Sequence, residues 1–139
     1  MGLDMYLERQ IHVAGLEGAI PLDYKGRAVK IDPYKVTTII EEIGYWRKAN
    51  QIHNWFVQNV QDGKDNCGKY RVSQEQLVEL KNLCKRALES KDPSLLPPLE
   101  GFFFGSTRID DFYFDDLNRT IEILDKIEPD GDYYYSSSW

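Results

Sequence analysis

The chain is poor in the residues from which metal centres and many catalytic centres are built. It has two cysteines and two histidines among 139 residues, and their spacing matches no zinc site and no catalytic motif. Two cysteines also make no disulfide framework, which favours a cytoplasmic protein. We expect no metal and no cofactor.

Long apolar runs are missing as well. No stretch approaches the length that spans a bilayer, and the N-terminus has no basic segment followed by an apolar one. Basic charge is in short supply, with 17 Lys and Arg against 23 Asp and Glu and a net charge of -6. A basic face is what duplex nucleic acid and anionic membranes bind, so neither is an expected partner.

Periodicity and turn signals predict a single α+β domain over residues 1–139, with a small, mainly antiparallel sheet packed with about three helices. Strands are predicted at Leu3–Val13, within the Gly15–Lys30 segment, and at Lys69–Val72, Gly101–Gly105 and Tyr133–Tyr135. Helices are predicted from Asp32-Pro33 towards Asn59, after the capping box of Ser73 and Gln76, and along the stripe from Tyr113 to Ile127.

The predicted first helix carries the most informative pattern. Trp46, Asn50 and His53 fall on one stripe of that helix, and Arg47 lies beside it. Buried polar groups need hydrogen-bond partners, which either the protein itself or a ligand can provide, and both interpretations stay open. The run Tyr45-Trp46-Arg47-Lys48 places stacking surfaces next to cations, as nucleotide recognition requires.

Two other segments are candidate ligand contacts. Ser106, Thr107 and Arg108 follow a glycine and precede a helix, where hydroxyls, amides and a guanidinium can hold phosphate, although an ordinary turn explains them too. The tail that contains Tyr134 and Trp139 is too aromatic to stay free in solution. We expect it to pack on the domain, in a subunit contact or over a ligand.

Acidic residues crowd the start of the predicted third helix, namely Asp110, Asp111, Asp115 and Asp116. They are the ligand type that Mg²⁺ prefers, but capping and the helix dipole explain them more simply.

Several segments together resemble a family of small phage and prophage proteins. They are Met1–Tyr6, Gly44–Phe56, Asn66–Gly68, Gly101–Thr107 and Tyr133–Trp139. The resemblance implies a host-takeover or anti-defence factor in the cytoplasm of an infected bacterium. One class of such factors captures the cyclic nucleotide signals of bacterial immunity.

The leading hypothesis is therefore a non-catalytic binding protein that sequesters a cyclic nucleotide or cyclic ADP-ribose type of signal. Such a protein needs aromatic platforms, a few cations and a pocket that a homo-oligomer often completes, so we expect a homo-oligomer. Two alternatives stay open. One is a nucleotide-cleaving enzyme that uses His53, and the other is an inhibitor that binds a host protein through the tail or the acidic helix.

Overall fold

The alternation of apolar and polar residues near the N-terminus produces the central strand of the main sheet. Leu3, Met5 and Leu7 are fully buried, while the residues between them are partly exposed. The computed structural model describes residues 2–17 and 22–139, and its strand β1 covers Asp4–His12. The strand predicted from the sequence is confirmed.

The remaining elements follow in chain order. They are β2 (Leu22–Tyr24), β3 (Arg27–Val29), β4 (Thr38–Arg47), α1 (Asn50–Asn59), β5 (Tyr70–Val72), α2 (Gln74–Ser90), α3 (Asp111–Leu124) and β6 (Asp132–Ser138). In the Gly15–Lys30 segment, β2 and β3 form an antiparallel hairpin, and residues 18–21 of that prediction lie outside the described residues.

The main sheet has the strand order β4-β1-β6-β5, with antiparallel pairing throughout. Alternate residues of its strands point into one core, where Trp46, Tyr133 and Tyr135 are almost completely buried together with residues of all the helices. The Phe56 ring stacks on the Tyr135 ring at 3.8 Å between centroids. In the described ranges the chain thus forms one α+β domain with three helices, as the sequence predicts.

The predicted helix from Asp32 to Asn59 is wrong before Asn50, apart from one short helical turn. Asp32 does accept a hydrogen bond from the Tyr34 amide, but the helical turn it caps covers only Pro33–Lys35. The chain then continues as β4, which pairs with β1 over its whole length. Helix α1 begins only at Asn50.

Two features explain this error. The segment Thr37-Thr38-Ile39-Ile40 is β-branched, which favours a strand, and pairing with β1 satisfies its backbone groups. A β-bulge also interrupts the alternation, because Leu7 pairs with Gly44 whereas Glu8 pairs with Glu42. With the extra residue, Ile43, the apolar spacing resembles a helical one.

The predicted buried strand Gly101–Gly105 is a turn. Phe104 is buried, but Phe102 is 93% exposed. The Phe104 amide donates to the Gly101 carbonyl, which closes the turn, and no described strand pairs with this segment. Three consecutive aromatic residues favour a strand locally, but without a neighbour in the sheet they do not form one.

Helices α2 and α3 agree with the sequence. Ser73 and Gln76 form the predicted capping box of α2, and Leu77, Leu80 and Cys84 of its apolar stripe are buried. At the start of α3, the Asp110 side chain accepts a hydrogen bond from the Tyr113 amide. The acidic group at this end therefore includes the predicted cap.

Candidate ligand-binding site

Trp46 lies in the core and presents no face to solvent. On strand β4 its side chain points inward, it is 1% exposed, and its indole Nε1 donates to Thr120 Oγ1 at 2.9 Å. Tyr45 points to the other face of the sheet and donates to Asp4 Oδ1, a hydrogen bond that holds the pKa of Asp4 below its usual value. Because successive side chains of a strand point to opposite faces, Tyr45 and Trp46 do not form one stacking surface.

Asn50 is satisfied by the protein itself. Its Nδ2 donates to the carbonyls of Phe104 and Ser106, at 3.0 and 2.9 Å, and its Oδ1 accepts from the Leu99 amide at 3.0 Å. The side chain is 2% exposed. Asn50 therefore holds the segment from Leu99 to Ser106 against the start of α1 and contacts a ligand poorly.

His53 is also bonded within the protein. Its Nδ1 lies 2.6 Å from the Tyr135 hydroxyl, and its Nε2 lies 3.0 Å from the Asp65 carboxylate. Burial lowers the pKa of His53 although Asp65 opposes the shift. A neutral ring that accepts from Tyr135 at Nδ1 and donates from Nε2 to Asp65 satisfies all three groups. No part of the ring is exposed.

The basic residues nominated from the sequence meet in one place. The end of β4 and the loop before α3 enclose a cavity of about 230 Å³, called here the basic pocket. Its lining residues are Arg47, Lys48, Asn50, Gln51, Gly105, Ser106, Arg108, Asp110, Phe112, Tyr113 and Asp116. Lys48 has a positive φ of 57°, which turns the chain from β4 into α1.

Acidic groups line the same pocket. Burial raises the pKa of Asp116 to about 6, against a smaller opposing effect of the hydrogen bond from Gln51 Nε2. Asp110 is engaged as the cap of α3. Protonation of Asp116 in mild acid therefore makes the pocket more positive.

Two nominated residues lie outside the basic pocket. Thr107 is exposed beside it but is not among its lining residues. Tyr134 is in the middle of β6, where it pairs with Glu8 and Arg71 and points away from the buried Tyr133 and Tyr135. The structure therefore does not bring Tyr134 together with the basic residues.

Trp139 contacts its own chain, although 47% of the residue is exposed. Its Nε1 donates to Asp65 Oδ1 at 3.0 Å. The Trp139 and Phe104 rings form a T-shaped pair with their centroids 5.9 Å apart. Trp139 lines a second cavity of about 460 Å³, called here the aromatic cavity. The lining residues are Val57, Gln58, Gly63, Asp65, Leu99, Glu100, Gly101, Phe102, Phe103, Phe104 and Trp139.

Sequence reasoning missed Asp65, Phe102, Gln51 and Phe112 as cavity residues. The sequence predicts Phe102 in a buried strand, and Phe112 precedes the apolar stripe of α3 by one position. An apolar residue off the stripe of an amphipathic helix is the signal that could have identified Phe112.

No family model, curated protein or solved structure matches this chain. Within residues 2–17 and 22–139, no helix combines the length and apolar character needed to cross a membrane. The same residues contain no group of three or more His, Cys, Asp or Glu side chains placed to hold a metal ion.

Proposed function

We propose that the protein is a non-catalytic binding protein that captures a small nucleotide-derived ligand, with the phosphate in the basic pocket. The observation that carries the proposal is the convergence of Arg47 and Lys48 with Ser106 and Arg108 around one cavity. These residues come from segments about sixty positions apart, and each segment has the chemistry of a phosphate site.

The cations of the basic pocket have unused hydrogen-bond donors. Arg47 bonds Asp4 through Nη1, which leaves other donors of the guanidinium for a ligand, and half of its side chain is exposed. No described carboxylate lies within 4.0 Å of the charged groups of Lys48 or Arg108. An anionic ligand can bind these groups without breaking an existing ion pair.

An aromatic surface lies next to the cations. Phe112 lines the basic pocket and is 78% exposed. Its ring can stack on a nucleobase, a contact worth about 1 to 3 kcal/mol per base. In the proposal Phe112 is the stacking residue, instead of Tyr45 or Trp46.

The finer identity of the ligand rests on the resemblance to small phage and prophage proteins. In this proposal the chain is phage-encoded, acts in the cytoplasm of the bacterial host, and sequesters a cyclic nucleotide or a cyclic ADP-ribose type of immune signal. A second copy of the chain completes the pocket, whose volume of about 230 Å³ is small for a whole dinucleotide.

The nucleotide-cleaving alternative finds little support in the position of His53. A general base must reach the proton it removes, directly or through one water. Both ring nitrogens of His53 are engaged, and the ring lies in the core. Catalysis through His53 requires that the tail and the Asp65 segment move away first.

Calorimetry tests the proposal against a panel of cyclic dinucleotides, cyclic trinucleotides and cyclic ADP-ribose isomers. Binding of at least one member is expected, with the ligand recovered intact after denaturation. The double variant K48Q/R108Q should weaken binding at least about tenfold, because hydrogen bonds to charged groups contribute about 1.5 to 3 kcal/mol each.

The matched control is K85Q/R86Q, which removes one lysine and one arginine from the exposed face of α2. It should bind like the unmodified protein. Equal losses in both double variants show a general charge effect and contradict a site in the basic pocket.

Native mass spectrometry of the purified protein measures the subunit number and any nucleotide that it carries. A ligand recovered in cleaved form supports the alternative that the protein is a nucleotide-cleaving enzyme. Stoichiometric capture of a host protein without any small-molecule binding supports the inhibitor instead.

A further inference from the structure

The aromatic cavity has a chemistry opposite to that of the basic pocket. Its lining residues include Phe102, Phe103, Phe104 and Trp139, and those with a charged side chain are Asp65 and Glu100. No lysine or arginine is among the described residues that line it. The two cavities share no residue, although residues 101–104 line one and Gly105, Ser106 and Arg108 line the other.

Asp65 is held in place before any ligand arrives. Its carboxylate accepts from His53 Nε2 and from Trp139 Nε1, each at 3.0 Å, and a quarter of the side chain remains exposed. Carboxylate oxygens have lone pairs beyond those used by these two donors. Asp65 therefore adds negative charge at a fixed position in the cavity.

Phe102 is presented to solvent by a backbone that is fixed on both sides. The Phe103 carbonyl accepts from the Leu3 amide at 3.0 Å, and the Phe104 ring occupies the space that a side chain on Gly101 would need. The Phe102 and Phe103 rings also form a T-shaped pair with their centroids 4.7 Å apart. A phenyl ring that is 93% exposed in such a rigid turn costs hydration free energy, which a bound ligand recovers.

We propose that the aromatic cavity binds a small organic cation of the methylated ammonium class. Aromatic faces attract such cations through the ring quadrupole, and nearby carboxylates provide the counter-charge. The volume of about 460 Å³ is sufficient for a ligand of this size. This site goes beyond the proposed nucleotide capture and does not depend on it.

Choline and its neutral isostere, 3,3-dimethyl-1-butanol, provide the test. Calorimetry at constant ionic strength should show choline binding about tenfold more tightly than the isostere, because a desolvated cation–π contact is worth up to about 2 kcal/mol. Trp139 fluorescence should change with the same titration midpoint, since Trp46 and Trp55 are buried. The W139F variant should lose that signal.

Two exposed phenylalanines give a matched pair of variants. F102A should weaken choline binding about fivefold or more, whereas F112A, in the basic pocket, should leave it unchanged. Glu100→Gln should weaken choline binding about threefold, because it removes one of the counter-charges. Both rings are exposed, so neither substitution threatens the fold, and a thermal melt verifies this.

Three results would overturn the proposal. They are equal affinities for choline and the isostere, equal effects of F102A and F112A, and no choline binding at millimolar concentrations.

A trimethyllysine peptide is titrated in parallel with the free trimethyllysine amino acid. Tighter binding of the peptide identifies a protein side chain as the source of the cation, and equal binding identifies a free metabolite. Because nucleotide binding is measured separately, failure of this proposal does not contradict nucleotide binding in the basic pocket.

Discussion

Individual polar side chains determine which groups of this protein remain free to bind a ligand. Asn50 and His53 have all their strong donors and acceptors occupied inside the domain, and Gln51 bridges the Tyr113 carbonyl and Asp116. Their role is to fix the segments on which cavity residues lie. Lys48 and Arg108 are exposed, and within residues 2–17 and 22–139 no carboxylate forms an ion pair with either of them.

The role of Trp46 can be tested at this scale. Trp46→Phe should lower the free energy of unfolding by about 1 to 3 kcal/mol, since it removes a buried hydrogen bond to Thr120 and leaves a small void. It should not change ligand affinity. Urea unfolding and calorimetry measure the two quantities.

A double-mutant cycle with Thr120→Val provides the control, because the two substitutions remove the same hydrogen bond and their costs should not add. A large loss of ligand affinity at unchanged stability would restore the interpretation of Trp46 as a stacking platform.

At the scale of secondary-structure elements, the close approach of α3 to strand β4 positions the basic pocket. Gly44 makes this possible, because a Cβ atom there would lie 2.6 Å from Ile123 Cγ2. Arg119 of the same helix adds a hydrogen bond from its Nε to the Tyr45 carbonyl at 2.9 Å. The start of α3 is thereby held beside the turn that carries Lys48.

Gly44→Ala should therefore destabilise the fold by about 1 to 3 kcal/mol, the usual cost of overpacking. Ile123→Ala alone also destabilises the protein, because it leaves a gap between helix and sheet. The double variant should cost less than the sum of the two, since each substitution relieves the other. Additive costs in denaturant unfolding would show that α3 does not approach β4 this closely.

At the scale of the whole molecule, the partly buried Asp116 and the buried His53 give the stability opposite dependences on pH. The pKa of Asp116 is raised from 3.8 to about 6, so its contribution is present below the unfolded value and is lost as pH rises to about 6. The pKa of His53 is lowered from 6.5, so the unfolded chain takes up that proton first. Its contribution is lost as pH falls below 6.5.

Urea unfolding between about pH 4 and pH 8 separates the two contributions. Asp116→Asn keeps an acceptor for Gln51, and its stability relative to the unmodified protein should improve as pH rises to about 6. His53→Gln should be destabilising at neutral pH, by a margin that shrinks in acid. Differences that do not change with pH would show that neither group is buried as the structure has it.

Local patterns in the sequence determined much of this fold. The alternation in β1, the capping box of α2 and the apolar stripe of α3 depend on residues close together in the chain, and all three were predicted correctly. Four residues of the basic pocket, Arg47, Lys48, Ser106 and Arg108, are candidates for the same kind of reason, since their charge, hydroxyl groups and aromatic neighbours are visible in the sequence.

Only the tertiary structure decided which of the candidate residues line a cavity and which lie in the core. Whether Thr38–Arg47 is helix or strand depends on pairing with β1, whose residues lie 26 to 43 positions away in the chain. That pairing buries Trp46 while it exposes Arg47. The partners of His53 likewise come from Asp65 and from Tyr135 near the C-terminus. Because these contacts are long-range, composition and periodicity could state the need for partners but could not identify them.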